Sequence, residues 1–240
     1  MRVWPFDSSE LWLSIHHADL ITVEAYFSYP EDRNTTCGIL LLPDIIGHAF
    51  INSQLVADQF AANGYLVIMP DQFHGDAIPL NRPPELDLLK WLKGPPGHLP
   101  DKVDPIIEAC LKEMRDMGCK KIGAAGYCFG AKYVVRHLRP GNIDAGFCAH
   151  PSFVGNEELE AIKGPLSIAA AMIDYHFPPQ KRAESEEILN KTRQPFQMNL
   201  FSNVEHGFAL RGDIKQDTVK FAKEQAFLQA LSWFNDYLRK

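Results

Sequence analysis

Lys121-Ile122-Gly123-Ala124-Ala125-Gly126-Tyr127-Cys128-Phe129-Gly130 is the stretch on which the fold turns. Its first half is small and aliphatic at consecutive positions, as a strand buried on both faces should be. Its second half is G-x-C-x-G, and a helical pattern follows at once. A strand that turns sharply into a helix forces the central residue into a strained backbone conformation. Neighbouring glycines relieve the crowding, and the central side chain is thrown to the top of the sheet. The same turn leaves the Phe129 backbone N–H free to face a developing oxyanion. The helix N-terminus favours negative charge on the Cys128 sulfur. A buried structural cysteine at a tight turn would show the same five residues, so the surrounding chain has to decide.

Working outward, aliphatic runs alternate with helical patterns. Strands are expected over 22–27, 38–42, 65–69, 121–126, 145–149, 166–171 and 196–201. Helices are expected over 52–63, 104–117, 129–138, 179–192 and 214–238. The second of these opens with Asp104 and Pro105, a fitting N-cap and first-turn pair. The last carries Val219, Ala222, Ala226, Phe227, Ala230, Leu231, Phe234 and Leu238 as one apolar stripe. Strand–helix alternation of this kind predicts a single α/β domain with a mostly parallel central sheet flanked by helices. Chemistry in such sheets sits beyond the carboxyl ends of the strands. One segment, 73–100, breaks the rhythm with Pro79, Pro83, Pro84, Pro95, Pro96 and Pro100. A long irregular excursion after a strand reads as a lid or pocket wall.

A nucleophilic thiol needs a base and an orienting acid. The strand over 166–171 runs into Met172-Ile173-Asp174, and that over 196–201 leads to Glu205-His206-Gly207-Phe208. Nucleophile, acid and histidine therefore occur in the chain order of the α/β-hydrolases. His206 can take the thiol proton and return it to a leaving group. Asp174 can hold the tautomer and support the imidazolium. Each residue alone would pass for a loop or capping group; all three after separate strands, in order, point to catalysis.

These residues resemble the dienelactone hydrolase family, the carboxymethylenebutenolidase-like branch of the α/β-hydrolases. The carriers are Leu42-Pro43-Asp44-Ile45-Ile46-Gly47, Pro70-Asp71, Gly126-Tyr127-Cys128-Phe129-Gly130, Asp174 with Phe177-Pro178, and His206-Gly207-Phe208. Phe73-His74-Gly75-Asp76 and Pro79-Leu80-Asn81-Arg82-Pro83-Pro84 resemble the fungal-type members. The resemblance implies a Cys128–His206–Asp174 triad and a second oxyanion donor at the Ile45 backbone N–H. It also implies a carboxylate that contacts the thiol, here Asp44, where bacterial members carry the longer Glu. A carboxylate beside the sulfur would disfavour the thiolate at rest. Arginines hold the substrate carboxylate in family members acting on anionic dienelactones, and Arg211 and Arg82 are the candidates here. Guanidinium suits such a group through its two-pronged donors. Trp91, Phe73, His150 and Phe153 are candidate pocket walls, since they lie on loops near strand ends.

The 240 residues are 46% hydrophobic and carry a net charge of −6, so a large core is available and no basic surplus exists for nucleic acid. Apolar runs stop far short of the ~20 residues of a membrane span. Asp7 and Glu10 interrupt any secretory-signal pattern at the N-terminus. Five cysteines without framework spacing read as free thiols of a reducing, cytoplasmic compartment. The adjacent pair His16-His17 lacks metal-ligand spacing, and no nucleotide-binding glycine loop follows a strand, so no metal and no cofactor are expected. The expected partner is a small-molecule lactone or ester, bound by a monomer or homodimer. Two other functions fit the same residues. One is a thioesterase or other acyl-processing enzyme of secondary metabolism, acting on a polyketide-derived lactone or thioester. The other is a non-catalytic scaffold that uses Cys128 as a thiol sensor.

Overall fold

The computed structural model describes residues 12–17, 21–83 and 85–240. The N-terminal reading from Asp7 and Glu10, the side chains of His16 and His17, and Pro84 lie outside the described residues. Eight strands form one sheet: β1 (Trp12–His17), β2 (Ile21–Ser28), β3 (Cys37–Leu42), β4 (Leu66–Pro70), β5 (Lys121–Tyr127), β6 (Ala145–Ala149), β7 (Leu166–Ile173) and β8 (Phe196–Glu205). Their order across the sheet is β1-β2-β4-β3-β5-β6-β7-β8. β1 runs antiparallel to β2 and β2 antiparallel to β4, while β4 through β8 are mutually parallel.

Helices cover both faces: α1 (Ile51–Ala62), α2 (Leu88–Lys93), α3 (Pro100–Asp116), α4 (Phe129–His137), α5 (Asn156–Glu160), α6 (Pro179–Thr192), α7 (Phe208–Arg211) and α8 (Asp217–Leu238). The two-residue period of β3 shows how the layers divide. Ile39 and Leu41 pack with Val56 and Phe60 of α1 and Phe234 of α8. Leu40 and Leu42 pack on the other side with Ile106 of α3 and Val134 of α4. Both sets are fully buried, which is why the sequence reads as an unbroken aliphatic run.

Three differences from expectation have local causes. α3 begins at Pro100 rather than near Asp104, so Pro105 lies inside the helix. Pro100 supplies the fixed φ of a first helical residue, and Asp101 sits in the first turn where the helix dipole favours it. Segment 73–100 is only partly irregular. Asp87 caps α2 by accepting from the N–H groups of Leu89 (2.9 Å) and Lys90 (3.1 Å). Trp91 then donates its indole N–H to the Asp76 carbonyl at 2.8 Å, and Phe73, Trp91 and His98 gather against Phe129. Finally, β8 runs to Glu205, beyond the expected end at 201. The pairing of β7 with β8 shifts register between Ala171 and Ile173, and Asn203 adopts a left-handed φ of 56°. Such an irregularity re-aims the strand end. Here it delivers His206 beside Asp174, with the His206 N–H donating to the Ile173 carbonyl at 3.1 Å.

Candidate active site

Cys128 stands between β5 and α4 with φ 51° and ψ −106°, a left-handed conformation that side chains rarely adopt. Gly130 makes the turn possible, because a Cβ there would lie 2.0 Å from the Leu42 carbonyl oxygen. The Cys128 N–H is held by the Ala149 carbonyl at 3.1 Å, and its own carbonyl accepts from the Ser152 N–H at 3.0 Å. The side chain is 4% exposed. Phe129 is the first residue of α4, so its N–H has no acceptor within the helix. Ile45 follows Asp44 in the β3–α1 loop, and its carbonyl accepts from Ile78 at 2.8 Å, which ties this loop to segment 73–100.

His206 and Asp174 meet at 2.8 Å between Nδ1 and Oδ2. The other oxygen of Asp174 accepts from the N–H groups of His176 (2.8 Å) and Phe177 (3.1 Å), which fixes the carboxylate's orientation. Burial opposes charge on His206, but the hydrogen bonds to Asp174 and Cys128 outweigh it and push the imidazole up to about 9. The Ser152 hydroxyl lies 3.3 Å from Cys128 Sγ and 3.5 Å from His206 Nε2. The elbow, the acid loop and the histidine loop thus come together at the carboxyl ends of β5, β7 and β8.

Asp44 is buried, and its carboxylate has partners of its own. Oδ1 accepts from the Ile46 N–H at 3.0 Å, and Oδ2 forms an ion pair with Arg211 Nε at 2.7 Å. Burial raises the Asp44 pKa, with Arg211 the largest opposing influence. The thiol's hydrogen-bond neighbour is Ser152 rather than Asp44. Arg211 in turn is engaged by Asp44. Gly207 admits its guanidinium, since a Cβ at that residue, with φ 92°, would lie 2.6 Å from Nη2.

The remaining candidates divide into interior and rim. Phe73 and His150 are fully buried. His150 packs edge-on to His206 with ring centroids 5.1 Å apart, and among the described residues neither of its ring nitrogens has a hydrogen-bond partner. Burial, with the charges of His206 and Arg211, pushes His150 well below the usual histidine range. Trp91 is half-buried, 6.1 Å from the Phe129 ring. Phe153 is 44% exposed, and Arg82 is exposed. Sequence reasoning passed over Ser152, His176 and Tyr175. His176 stacks at 4.8 Å from His206 and 4.1 Å from Tyr175, and burial with the positive charges of His206, Arg211 and Arg82 lowers it to about 4. All three missed residues follow parallel strands, the positional signal that led to the triad loops.

A strained residue at a strand–helix elbow, with an acid and an imidazole from later strand ends, defines the α/β-hydrolase class. The model of the dienelactone hydrolase family matches residues 23–238, and the chain belongs to that family. It is therefore a hydrolase of ester or lactone bonds. It is 56% identical over 224 residues to hydrolase tropI of Talaromyces stipitatus, covering 91% of this chain and 88% of that protein. It is 54% identical to hydrolase pyvD of Aspergillus violaceofuscus, with the same coverage of 91% and 88%. A candidate dienelactone hydrolase from Klebsiella pneumoniae shares the fold with a TM-score of 0.75 at 15% identity, over 94% of this chain and 98% of that one. Among the described residues, no helix is long and apolar enough to cross a membrane.

Proposed function

We propose that this chain hydrolyses a lactone or ester through a thiolester acyl-enzyme formed on Cys128. The observation that carries the reading is His206. Its Nδ1 is committed to Asp174 at 2.8 Å, so Nε2 is the nitrogen left to serve the Cys128 elbow. Cys128 attacks the carbonyl carbon as the thiolate, with the proton held on His206. The N–H groups of Phe129 and Ile45 receive the oxyanion. Collapse expels the leaving oxygen, which takes the proton from His206. Water deprotonated by His206 then resolves the thiolester, and Asp174 steadies the imidazolium at each stage. The Arg211 guanidinium, 2.7 Å from Asp44, opposes the effect of burial on that carboxyl beside the oxyanion loop.

The rim supports a planar acyl group. Phe153 and Tyr175 are exposed beside His176, with ring centroids 5.6 Å and 4.1 Å from it. This surface suits a polyketide-derived lactone or thioester at least as well as a small anionic dienelactone, which Arg82 would attract. The five free thiols fit a reducing, cytoplasmic setting. Mass spectrometry of protein trapped with an activated ester tests the mechanism. An acyl mass on the peptide bearing Cys128, absent in Cys128→Ser, is the expected result. An adduct mapped elsewhere would overturn the mechanism, and stoichiometric labelling of Cys128 without turnover would favour a thiol sensor. A panel of small anionic lactones against bulky neutral esters ranks the substrate classes.

A further inference from the structure

We propose that the free edge of β8, with the side of α8 beside it, docks a second copy of this chain. This inference stands apart from the thiol chemistry. β8 is the last strand of the sheet, and among the described residues no strand pairs with its outer edge. At ten residues it is also the longest strand described. Alternate N–H and C=O groups along it face outward without a sheet partner. Proteins blunt such an edge with lysine, proline or a bulge. Phe196-Gln197-Met198-Asn199-Leu200-Phe201 carries no lysine, no proline and no charge. The register shift against β7 comes only beyond the pairing of Ala171 with Phe201.

The side chains along this edge are apolar or neutral. Toward α8, Gln197, Asn199 and Phe201 line one wall of a groove of about 770 Å³, and Phe221, Gln225 and Leu228 line the other. Phe221, Gln225, Leu228, Ser232 and Asn235 recur at helical spacing, an uncharged row on a helix that also bears Lys220, Glu224 and Asp236. Phe221, Leu228 and, on the opposite face of β8, Leu200 are each more than half exposed. Asp236 is the one charged residue lining the groove, and it is already paired with Lys240. The indole N–H of Trp233, buried in the same wall, has no acceptor among the described residues.

The chemistry of this face selects its own copy. Antiparallel pairing of β8 with β8 of the second copy, about a two-fold axis perpendicular to the sheet, sets the same patch against itself. Such an axis keeps equivalent sheet faces on one side, so α8 comes to face α8. Each chain carries a net charge of −6, and docking through charged surface would set like against like. This strip sets neutral and apolar groups against their equals instead. A strongly acidic or basic partner would find no counter-charge on it. The strip runs roughly 33 Å along β8 and α8 and is about 20 Å deep from strand side chains to helix. That gives on the order of 700 Å² per copy, close to the ~800 Å² per partner of a standard interface. The face is also held rigid. Asn199 Nδ2 donates to Gln229 Oε1 at 3.0 Å, and Gln229 Nε2 donates to Ser167 Oγ at 2.9 Å and to the Ile168 carbonyl at 3.0 Å. α8 is thereby pinned to β7 and β8, so little ordering remains to be done on docking.

Sedimentation velocity of the full chain from about 0.1 to 100 μM, read with amide hydrogen exchange, tests the face. The wild type should be a dimer at the upper concentrations. Its β8 amides should exchange at least about tenfold more slowly than those of a dissociated variant. Leu228→Asp buries a charge at two symmetry-related places and should raise the dimer Kd by about 100-fold or more. Ser232→Arg, on the same row, gives the same reading where Leu228→Asp fails to fold, and circular dichroism identifies the folded variants. A wild type that stays monomeric over the whole range overturns the proposal. So does a dimer whose Kd neither substitution changes, which would place the interface elsewhere. Dissociation that leaves β8 exchange unaltered would overturn the edge pairing.

Discussion

The carboxyl rim of the sheet and its interior each hold a buried thiol, and the two make opposite surroundings. Cys128 lies just past β5, in a left-handed turn, with Ser152 at 3.3 Å and the imidazole of His206 also beside it. Cys148 lies within β6, paired in register with Gly126, and its Sγ reaches the Ala131 carbonyl at 3.6 Å. Burial alone pushes the Cys148 thiol far up, with no charged group to oppose it. The two residues are 4% and 1% exposed, so accessibility does not separate them. What separates them is the end of a parallel strand. There the backbone stops pairing, loops from neighbouring strands converge, and polar groups can be brought to one point. In the middle of the strand, each face is committed to packing.

The contrast breaks first at Cys128. Cys128→Ala should lower kcat/KM toward an activated ester by about ten-thousand-fold. Steady-state kinetics on a folded variant measures this, and a loss of less than tenfold would place the chemistry elsewhere.

Asp174→Asn comes next, with an expected loss of about a hundred- to a thousand-fold in kcat. It also has a thermodynamic signature. Folding holds His206 at about 9 against an ordinary 6.5, so the folded chain binds an extra proton between those values. That contribution to stability is complete below pH 6.5 and is lost as pH rises through about 9. Removing the carboxylate lowers the folded value, so urea unfolding across this window should depend less on pH in the variant. An unchanged slope would separate His206 from Asp174 energetically.

Much of this site was legible because its parts obey strand-end rules. The buried strands appear as aliphatic runs, and the loops after three of them carry Cys128, Asp174 and His206. The misses have physical causes. β1 is an edge strand paired on one side, without the apolar run of the central strands. α5 and α7 span five and four residues, too few to show a helical period. The polar Ser202-Asn203 pair hides the end of β8, which only the register shift against β7 accounts for. Nothing about Ser152 as a residue type marks it, although His150 and Phe153 beside it were recognisable as strand-end residues. The Asp44–Arg211 ion pair joins the β3–α1 loop to α7, far apart in the chain, so neither residue announces the other.

That ion pair gives a smaller test of the rim. Arg211→Met leaves Asp44 buried without its counter-charge and should cost about 3 kcal/mol at neutral pH. Burial already raises Asp44, and losing the guanidinium raises it further. A raised carboxyl contributes stability that is present below its unfolded value of 3.8 and is lost as pH rises through the folded one. The deficit of Arg211→Met should therefore be small near pH 4 and grow toward neutrality. Equal deficits at both pH values, measured by urea unfolding, would show that the Asp44 charge plays no part.

The smallest expected effect falls on the interior thiol. Cys148→Ala removes one buried sulfur next to Ala131 and leaves the strand's pairing with β5 and β7 intact. The cavity is small, so stability should fall by about 1 kcal/mol. Because Cys148 reaches neither His206 nor an oxyanion donor, kcat and KM should each stay within twofold of the wild type. Alkylation with iodoacetamide sharpens the same point: in the folded wild type, modification should map to the Cys128 peptide well before the Cys148 peptide. Faster modification of Cys148, or a Cys148→Ala variant that folds normally yet loses activity, would mean that the interior of β6 takes part in the chemistry and that strand-end position does not divide the two thiols.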